Sequence, residues 1–248
     1  MCDKRGLDGK LALQGLGTSI SLVSVRILEL QGERRYALTQ SQPSVWLQNT
    51  SNAVESGWHA TWQVSGSYLA LGVEHILQGL DHLMFVISLY LLVGAGLPLA
   101  AAITAFTAAH TASLAASTLG WVNIPTGPVE ACIALSIVLV CAEALRSNNS
   151  WTQRAPYLAA FPFGLAHGLG FAGALTDIGL PPEHLYSALL SFNLGVEIGQ
   201  LGVVLAAWLM AKKIALQPWA STAKTALLAV MGCVAAYWSL ERTVTIFH

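Results

Sequence analysis

The sequence has little charge, and over a long stretch it has no positive charge at all. Charged residues make up 10% of the 248 residues, whereas soluble domains carry about 25%. No Lys or Arg occurs between Arg35 and Arg146, and hydrophobic residues reach 54%. This composition excludes an ordinary soluble protein and predicts that most of the chain faces lipid. The formal net charge of −1 gives no electrostatic basis for binding nucleic acid.

Cysteine is also scarce, and its spacing excludes the common thiolate sites. The four cysteines, Cys2, Cys132, Cys141 and Cys233, contain no C-x-x-C pair, so neither a disulfide framework nor a thiolate metal site is predicted. The chain lacks the H-E-x-x-H and G-x-S-x-G motifs as well. Enzyme activity is therefore not expected.

Apolar stretches of membrane-spanning length determine the expected fold class. We predict an all-α membrane protein, a six-transmembrane-helix bundle preceded by a short extramembrane β-rich N-terminal segment. Short connections with turn residues make consecutive helices antiparallel neighbours. The six predicted spans cover residues 66–94, 97–119, 127–146, 156–177, 185–211 and 222–241.

The chain outside these spans is short. In residues 1–65, Val23, Val25 and Ile27 alternate with polar residues, which predicts a strand, and residues 35–39 predict a second strand. This segment is too small to form a sizeable core alone, which indicates part of a larger domain. The predicted membrane domain then covers residues 66–241, and residues 242–248 form a short tail.

Basic residues in the connections predict the orientation in a bacterial inner membrane. Arg146, Arg154, Lys212, Lys213 and Lys224 all lie in the third and fifth connections, which share one side of the membrane. The second and fourth connections hold no Lys or Arg. The excess of basic residues marks the cytoplasmic side, so both termini are expected outside.

Ionisable residues inside the predicted spans carry the functional signal. A central carboxylate costs about 2.5–3.5 kcal/mol on insertion scales. No Lys or Arg lies among them to form salt bridges, so protons or a bound cation must neutralise the carboxylates. These residues are five carboxylates, Glu74, Asp81, Glu130, Glu143 and Glu197, and four histidines, His75, His82, His110 and His167.

The first span concentrates polar groups between Glu74 and His82. Glu74, Gln78 and Asp81 follow helical spacing, as do His75, Gln78 and His82, so both sets are expected on one helical face. In a straight helix His75 and His82 lie about 10.5 Å apart along the axis. Two interpretations follow: successive sites along a path, or a distortion at Gly79 that brings the histidines together. A polar seam between helices is the structural alternative.

Later spans add single polar positions. His110 fits a ligand or a hydrogen-bonded core histidine equally well, and Glu143 has Arg146 in reach as a partner. Glu130 has no cation in reach along its helix and is expected at the mouth of a pathway. Gly164 and Gly168, one helical turn apart, are expected to form a seam at which two helices approach closely. His167 would lie beside this seam, and the glycines also permit a broken helix. In the fifth span, Asn193, Glu197 and Gln200 form one polar stripe.

Several of these motifs together resemble the HupE/UreJ family, in its version with an extended outer N-terminal region. His75-x5-Asp81-His82 matches the H-x5-D-H motif of that family. Further landmarks in the same order are residues 106–111, Glu130 with 134–136, 164–168 and 192–200. The resemblance implies a multi-spanning nickel or cobalt permease, often associated with hydrogenase or urease maturation. It also implies that His75, Asp81, His82 and His167 handle the metal.

The predicted function is a membrane permease or binding protein for a divalent transition metal ion, nickel or cobalt before zinc. Imidazole with carboxylate suits these ions, and the scarcity of thiolates weakens copper(I). The alternative is a non-transporting accessory or haem b electron-transfer subunit of a larger membrane complex. The expected partners are lipid, the metal ion and a larger membrane or metalloenzyme-maturation complex. The predicted metal residues are His75, Asp81, His82, His110 and His167, with Glu74, Gln78, Glu130, Asn193, Glu197 and Gln200 along the pathway or around the ligands.

Overall fold

The computed structural model describes residues 9–12, 22–29, 32–39, 44–47, 57–146, 151–178 and 185–246; of residues 9–64, 151 and 172–178 it describes backbone alone. Four strands lie in the N-terminal part: β1 (Gly9–Ala12), β2 (Leu22–Glu29), β3 (Gly32–Thr39) and β4 (Ser44–Leu47). β2 and β3 pair antiparallel with Val25 opposite Tyr36, and β1 pairs antiparallel with β4. The β2–β3 pair occupies the stretch in which the sequence predicts two strands.

Helices and the short turns between them make up the rest of the described chain. They are α1 (Gly57–Gln78), α2 (Leu80–Val93), α3 (Leu97–Thr118), α4 (Thr126–Leu145), α5 (Trp151–Arg154), α6 (Pro156–Ile178), α7 (Leu185–Ile214) and α8 (Ala220–Thr245). α1 begins before the predicted boundary at residue 66, and α8 continues past residue 241. Between α2 and α3 the chain turns at Gly94 and Gly96, both of which have positive φ.

The prediction of six membrane spans is not supported. Among the described residues, four helices are long and apolar enough to cross a membrane: α3, α4, α7 and α8. A fifth span exists if residues 65–78 of α1 and the whole of α2 are counted as one bent span. α6 occupies the predicted fourth span and contains Pro162, but it is not one of the four. A multi-pass membrane protein remains the correct description.

The predicted first span is two helices rather than one. α1 ends at Gln78, α2 begins at Leu80, and their axes differ by 75°. Gly79 between them has φ −76° and ψ 98°, an extended conformation that interrupts the helix. Its N–H still donates to the carbonyl of His75 at 3.0 Å, so the chain turns without leaving that amide unpaired. The bend takes α2 across the interior, where half of its residues are buried.

Glycines bring the helix backbones into direct contact in two seams. α3 packs along α6, and α1 packs along α7. A Cβ added at Gly164 or Gly168 would collide with the backbone of α3 at Phe106 or His110. A Cβ at Gly72 of α1 would collide with the Phe192 carbonyl of α7. The predicted Gly164/Gly168 seam is confirmed, and it places His167 against α3.

The buried apolar residues form two clusters with the histidines between them. The first cluster includes Phe85, Phe106 and Ile137, and the second includes Leu114 and Phe192. Along α3, His110 lies between Phe106 of the first cluster and Leu114 of the second. α6 repeats this order, with Phe163 packed on the first cluster, then His167, and then Phe171 packed on the second. The fold therefore holds a polar layer between two apolar layers.

Candidate metal centre

Three histidines from three helices meet in this polar layer. His75 is on the last turn of α1, His82 on the first turn of α2, and His110 in the middle of α3. One ring nitrogen from each lies within 4.8 Å of the other two. The ring centroids of His75 and His82 are 4.5 Å apart, far less than the separation expected in a straight helix. Of the two interpretations of this pair, the structure supports the distortion at Gly79.

Two of the three imidazoles have a ring nitrogen without a hydrogen-bond partner among the residues that the structure describes. Nε2 of His75 and Nε2 of His110 are buried and unpaired. A buried polar atom without a partner is costly, and functional sites are where such atoms are retained. A metal ion binds an unprotonated imidazole nitrogen whose lone pair is not already used in a hydrogen bond.

Asn193 fixes which nitrogen of His110 is available. The amide of Asn193 donates from Nδ2 to the Leu189 carbonyl at 2.7 Å, which turns its Oδ1 toward the imidazole. Oδ1 lies 3.0 Å from Nδ1 of His110. An amide oxygen only accepts, so Nδ1 of His110 must carry the proton and Nε2 must carry the lone pair. An outer partner of this kind is typical of metal-binding histidines.

Asp81 has the corresponding role for His82. Its Oδ1 accepts from the backbone N–H of His82 at 2.9 Å and lies 3.2 Å from Nδ1 of the same residue. The carboxylate therefore orients the imidazole, and Nε2 of His82 faces away from it. Asp81 is not one of the three residues whose ligand atoms converge. The structure places it behind the site, although the sequence suggested a direct ligand.

His167 lies at the edge of the three-histidine group. Its Nδ1 is 3.3 Å from Nε2 of His82, and its Nε2 is 3.4 Å from the Ser136 hydroxyl of α4. Both histidines are buried. The sequence analysis included Ser136 in the 134–136 landmark but did not predict its contact with His167, because 31 residues of chain separate the two. His82 thus contacts all three of the other imidazoles.

Aromatic rings enclose this layer on both sides. The ring of Phe171 packs against His75 with centroids 3.9 Å apart and ring planes tilted by 49°, and it stacks parallel to Phe192. On the other side, Phe85 and Phe106 stack together and contact His167. The signal for two of these rings was present in the sequence. Phe106 precedes His110 by four residues and Phe171 follows His167 by four, which places each pair on one helical face.

The remaining predicted pathway residues do not join the histidines. Glu197 accepts from Thr104 at 2.7 Å, and Gln200 accepts from Thr107 at 3.1 Å, so both connect α7 to α3. Glu74 and Gln78 bond to each other at 2.6 Å on the exposed side of α1. The break at Gly79 separates them from Asp81 and His82, so the predicted single polar face does not exist.

Glu130 has a cationic partner that the sequence analysis did not find. Its carboxylate lies 3.6 Å from Nε of Arg242, and its backbone carbonyl accepts from the same guanidinium at 3.0 Å. Arg242 is on the last part of α8, just beyond the predicted sixth span. The sequence analysis considered only cations along the same helix, and this partner comes from another helix, because packing of α4 along α8 brings the two together.

Removal of the Asn193 acceptor is expected to weaken metal binding at His110. Asn193→Leu leaves Nδ1–H of His110 buried without a partner and frees the ring to turn. We expect the dissociation constant for nickel to rise about 10–100-fold, as measured by titration calorimetry on detergent-purified protein. Asn193→Asp keeps an acceptor and should lose much less. Gln200→Leu removes a buried amide of the same helix that contacts Thr107 instead; an equal loss in that variant would contradict the assignment.

A methyl group at Gly79 is expected to disturb the same site at His75 and His82. A Cβ there would lie 2.9 Å from the His75 carbonyl oxygen and 2.9 Å from Nδ1 of His82, closer than atoms in contact tolerate. Gly79→Ala should therefore displace His82 from Asp81 and weaken nickel binding about tenfold. Gly232→Ala, which makes only an ordinary contact with Cys141, is the control. Unchanged affinity in Gly79→Ala would show that the bend tolerates a side chain.

Comparison with known proteins adds one positive match. A family model described as HupE / UreJ protein matches residues 49–242, which includes every histidine of the buried layer. No curated protein matches the chain, and no solved structure matches it.

Proposed function

Because the chain belongs to the HupE/UreJ family, we propose that it binds a divalent transition metal ion at His75, His82 and His110 and carries the ion across the membrane. The observation that carries this proposal is the convergence of three imidazole nitrogens within 4.8 Å of one another. Buried and unpaired nitrogens on His75 and His110 support it. The family is associated with nickel and cobalt transport, and we propose one of these ions as the substrate.

The donor set favours a borderline metal over a hard one. Imidazole nitrogen suits nickel, cobalt and zinc, whereas magnesium and calcium require oxygen ligands. Asp81 and Asn193 orient two of the ligands from behind, so the converging atoms are nitrogens. We therefore expect the site to discriminate strongly against magnesium and calcium, and more weakly between nickel, cobalt and zinc.

The apolar layers on either side separate the site from water. Phe171 covers His75 on one side, and Phe85 with Phe106 packs against His167 on the other. A hydrated ion reaches the site only after these rings move and the imidazoles replace its water. We propose that the ion then passes from the three-histidine group to His167, which already touches His82 at 3.3 Å.

Flux into liposomes tests the proposal. Purified protein is reconstituted with a metal-sensitive dye inside, and nickel, cobalt, zinc or magnesium is added outside. We expect protein-dependent entry of nickel or cobalt, and no protein-dependent entry of magnesium. His82→Ala should abolish the flux, whereas Glu197→Gln, which alters only the contact with Thr104, should retain it. Tight nickel binding without flux would reduce the protein to a membrane metal-binding protein.

A further inference from the structure

The outward face of α1 carries a hydrogen-bonded polar pair that the single chain does not use. Gly72 and Ile76 face α7, where Gly72 meets the backbone at Phe192 and Ile76 is fully buried. Glu74 lies midway between them in sequence and therefore on the opposite side of the helix. Gln78, one turn further on, is exposed and donates to Glu74 at 2.6 Å. Among the described residues, α1 packs mainly against α7, so this opposite face is left open.

This pair lies in a part of the chain that is apolar enough, together with α2, to count as a candidate membrane span. Residues 65–78 form the first limb of the bent candidate span, and Glu74 and Gln78 are in its last two turns. Leu77 beside them is 54% exposed, as expected for a surface that meets lipid or another helix. Lipid tails offer nothing to an amide or a carboxylate, so polar groups at such depth face protein or a water-filled cavity. The described chain provides neither on this face.

We propose that this face, formed by Ala70, Glu74, Leu77 and Gln78, is the contact between two copies of the chain in the membrane. Each copy brings both a donor, the Gln78 amide, and an acceptor, the Glu74 carboxylate. A two-fold axis along the membrane normal therefore gives two equivalent hydrogen bonds, from each Gln78 to the Glu74 of the other copy. Side chains on a helix tilt toward its N-terminus, so Gln78 reaches back to the level of Glu74.

The surroundings of the pair permit the close approach that such bonds need. Ala70 precedes Glu74 by one turn on the same side and is exposed. Gly66, a further turn away, is exposed and has open space beyond its Cβ position. Small residues let two membrane helices approach closely, and amide or carboxyl side chains then bond across the contact. His75 lies on a different face of α1, so pairing of two copies leaves the metal centre accessible from within each chain.

Cysteine cross-linking in native membranes tests this proposal. The full chain carries Cys2→Ser, Cys132→Ser and Cys233→Ser to remove background thiols, and Ala70→Cys is added. A short bifunctional thiosulfonate, which involves no metal ion, should join Ala70→Cys into a dimer. Leu205→Cys on α7, where Leu205 is 55% exposed, should remain monomeric. Replacing the pair by Glu74→Leu and Gln78→Leu should lower the Ala70→Cys dimer at least fivefold, whereas Glu74→Gln, which keeps the hydrogen bond, should retain it.

Nickel binding separates this proposal from the proposed function. The Glu74→Leu, Gln78→Leu variant should bind nickel as the unmodified chain does, which also shows that it folds. Dimer formation at Ala70→Cys no greater than at Leu205→Cys would overturn the proposal. So would rapid labelling of a monomeric Ala70→Cys protein by a charged, membrane-impermeant thiol reagent, since that result would place the face in a water-filled pathway.

Discussion

A chain that carries His75→Ala and His110→Ala together is expected to lose nickel binding altogether. These two residues supply the buried nitrogens that have no partner within the described residues. Their removal leaves His82 as the one remaining member of the three-nitrogen group. Loss of an outer partner alone costs about 10–100-fold in affinity, so loss of two ligands should raise the dissociation constant by more than about 1,000-fold. Titration calorimetry and metal analysis after dialysis against nickel measure the effect.

The control for this variant is Glu74→Ala. Glu74 is an ionisable residue of the same helix as His75, one position away, but its side chain bonds to Gln78 on the exposed side. Its replacement should leave nickel affinity unchanged. Equal metal content in the double histidine variant and the unmodified chain would remove the three-histidine group as the binding site. Loss of binding in Glu74→Ala would instead bring the outward carboxylate back into the pathway.

The sequence predicted which residue types form the site, but it left their arrangement open. The excess of carboxylates and histidines without Lys or Arg is visible in the sequence, and His75, His82 and His110 are three of the nine residues to which it pointed. Whether His75 and His82 act together depends on the bend of 75° at Gly79 and on the direction in which the chain turns there. That direction is determined by packing of α2 across α4 and α7, and no local pattern encodes it.

Helical periodicity misplaced the residues around this bend for the same reason. The spacing of Glu74, Gln78 and Asp81 defines one face only if the helix continues through Gly79. Once α1 ends at Gln78, Asp81 turns inward with α2 and bonds to His82, while Glu74 and Gln78 stay outside. The signal available in the sequence was a glycine within a run of polar residues, which is compatible both with a helix that continues through Gly79 and with a helix that is distorted there.

Long-range pairs were beyond what spacing can predict. Glu130 and Arg242 are 112 residues apart, and the predicted end of the last span at residue 241 left Arg242 out of the comparison with the embedded carboxylates. The pairs of His110 with Asn193 and Thr107 with Gln200 both join α3 to α7 across the bundle. The polar stripe on α7 was visible in the sequence, but its partners on α3 follow only from the packing of the two helices.

The close contact between the backbones of α1 and α7 predicts a large loss of stability when Gly72 is replaced. Gly72→Ala is expected to destabilise the protein by about 3 kcal/mol, the upper end for overpacking of a core, because the new Cβ would collide with the Phe192 carbonyl and neighbouring backbone atoms of α7. Backbone atoms in two packed helices cannot move aside as a flexible side chain does. The helices must therefore separate, and His75, three residues further along α1, moves with them.

Thermal unfolding in detergent, followed by circular dichroism, measures this effect. The matched control is Gly202→Ala on α7, where nothing lies within 4 Å of an added Cβ. That replacement should be neutral or slightly stabilising, since alanine favours a helix by about 1 kcal/mol over glycine. We expect a large fall in melting temperature for Gly72→Ala alone, together with weaker nickel binding. Equal melting temperatures in the two variants would mean that α1 and α7 do not pack backbone to backbone, and the position assigned to His75 would then have to be abandoned.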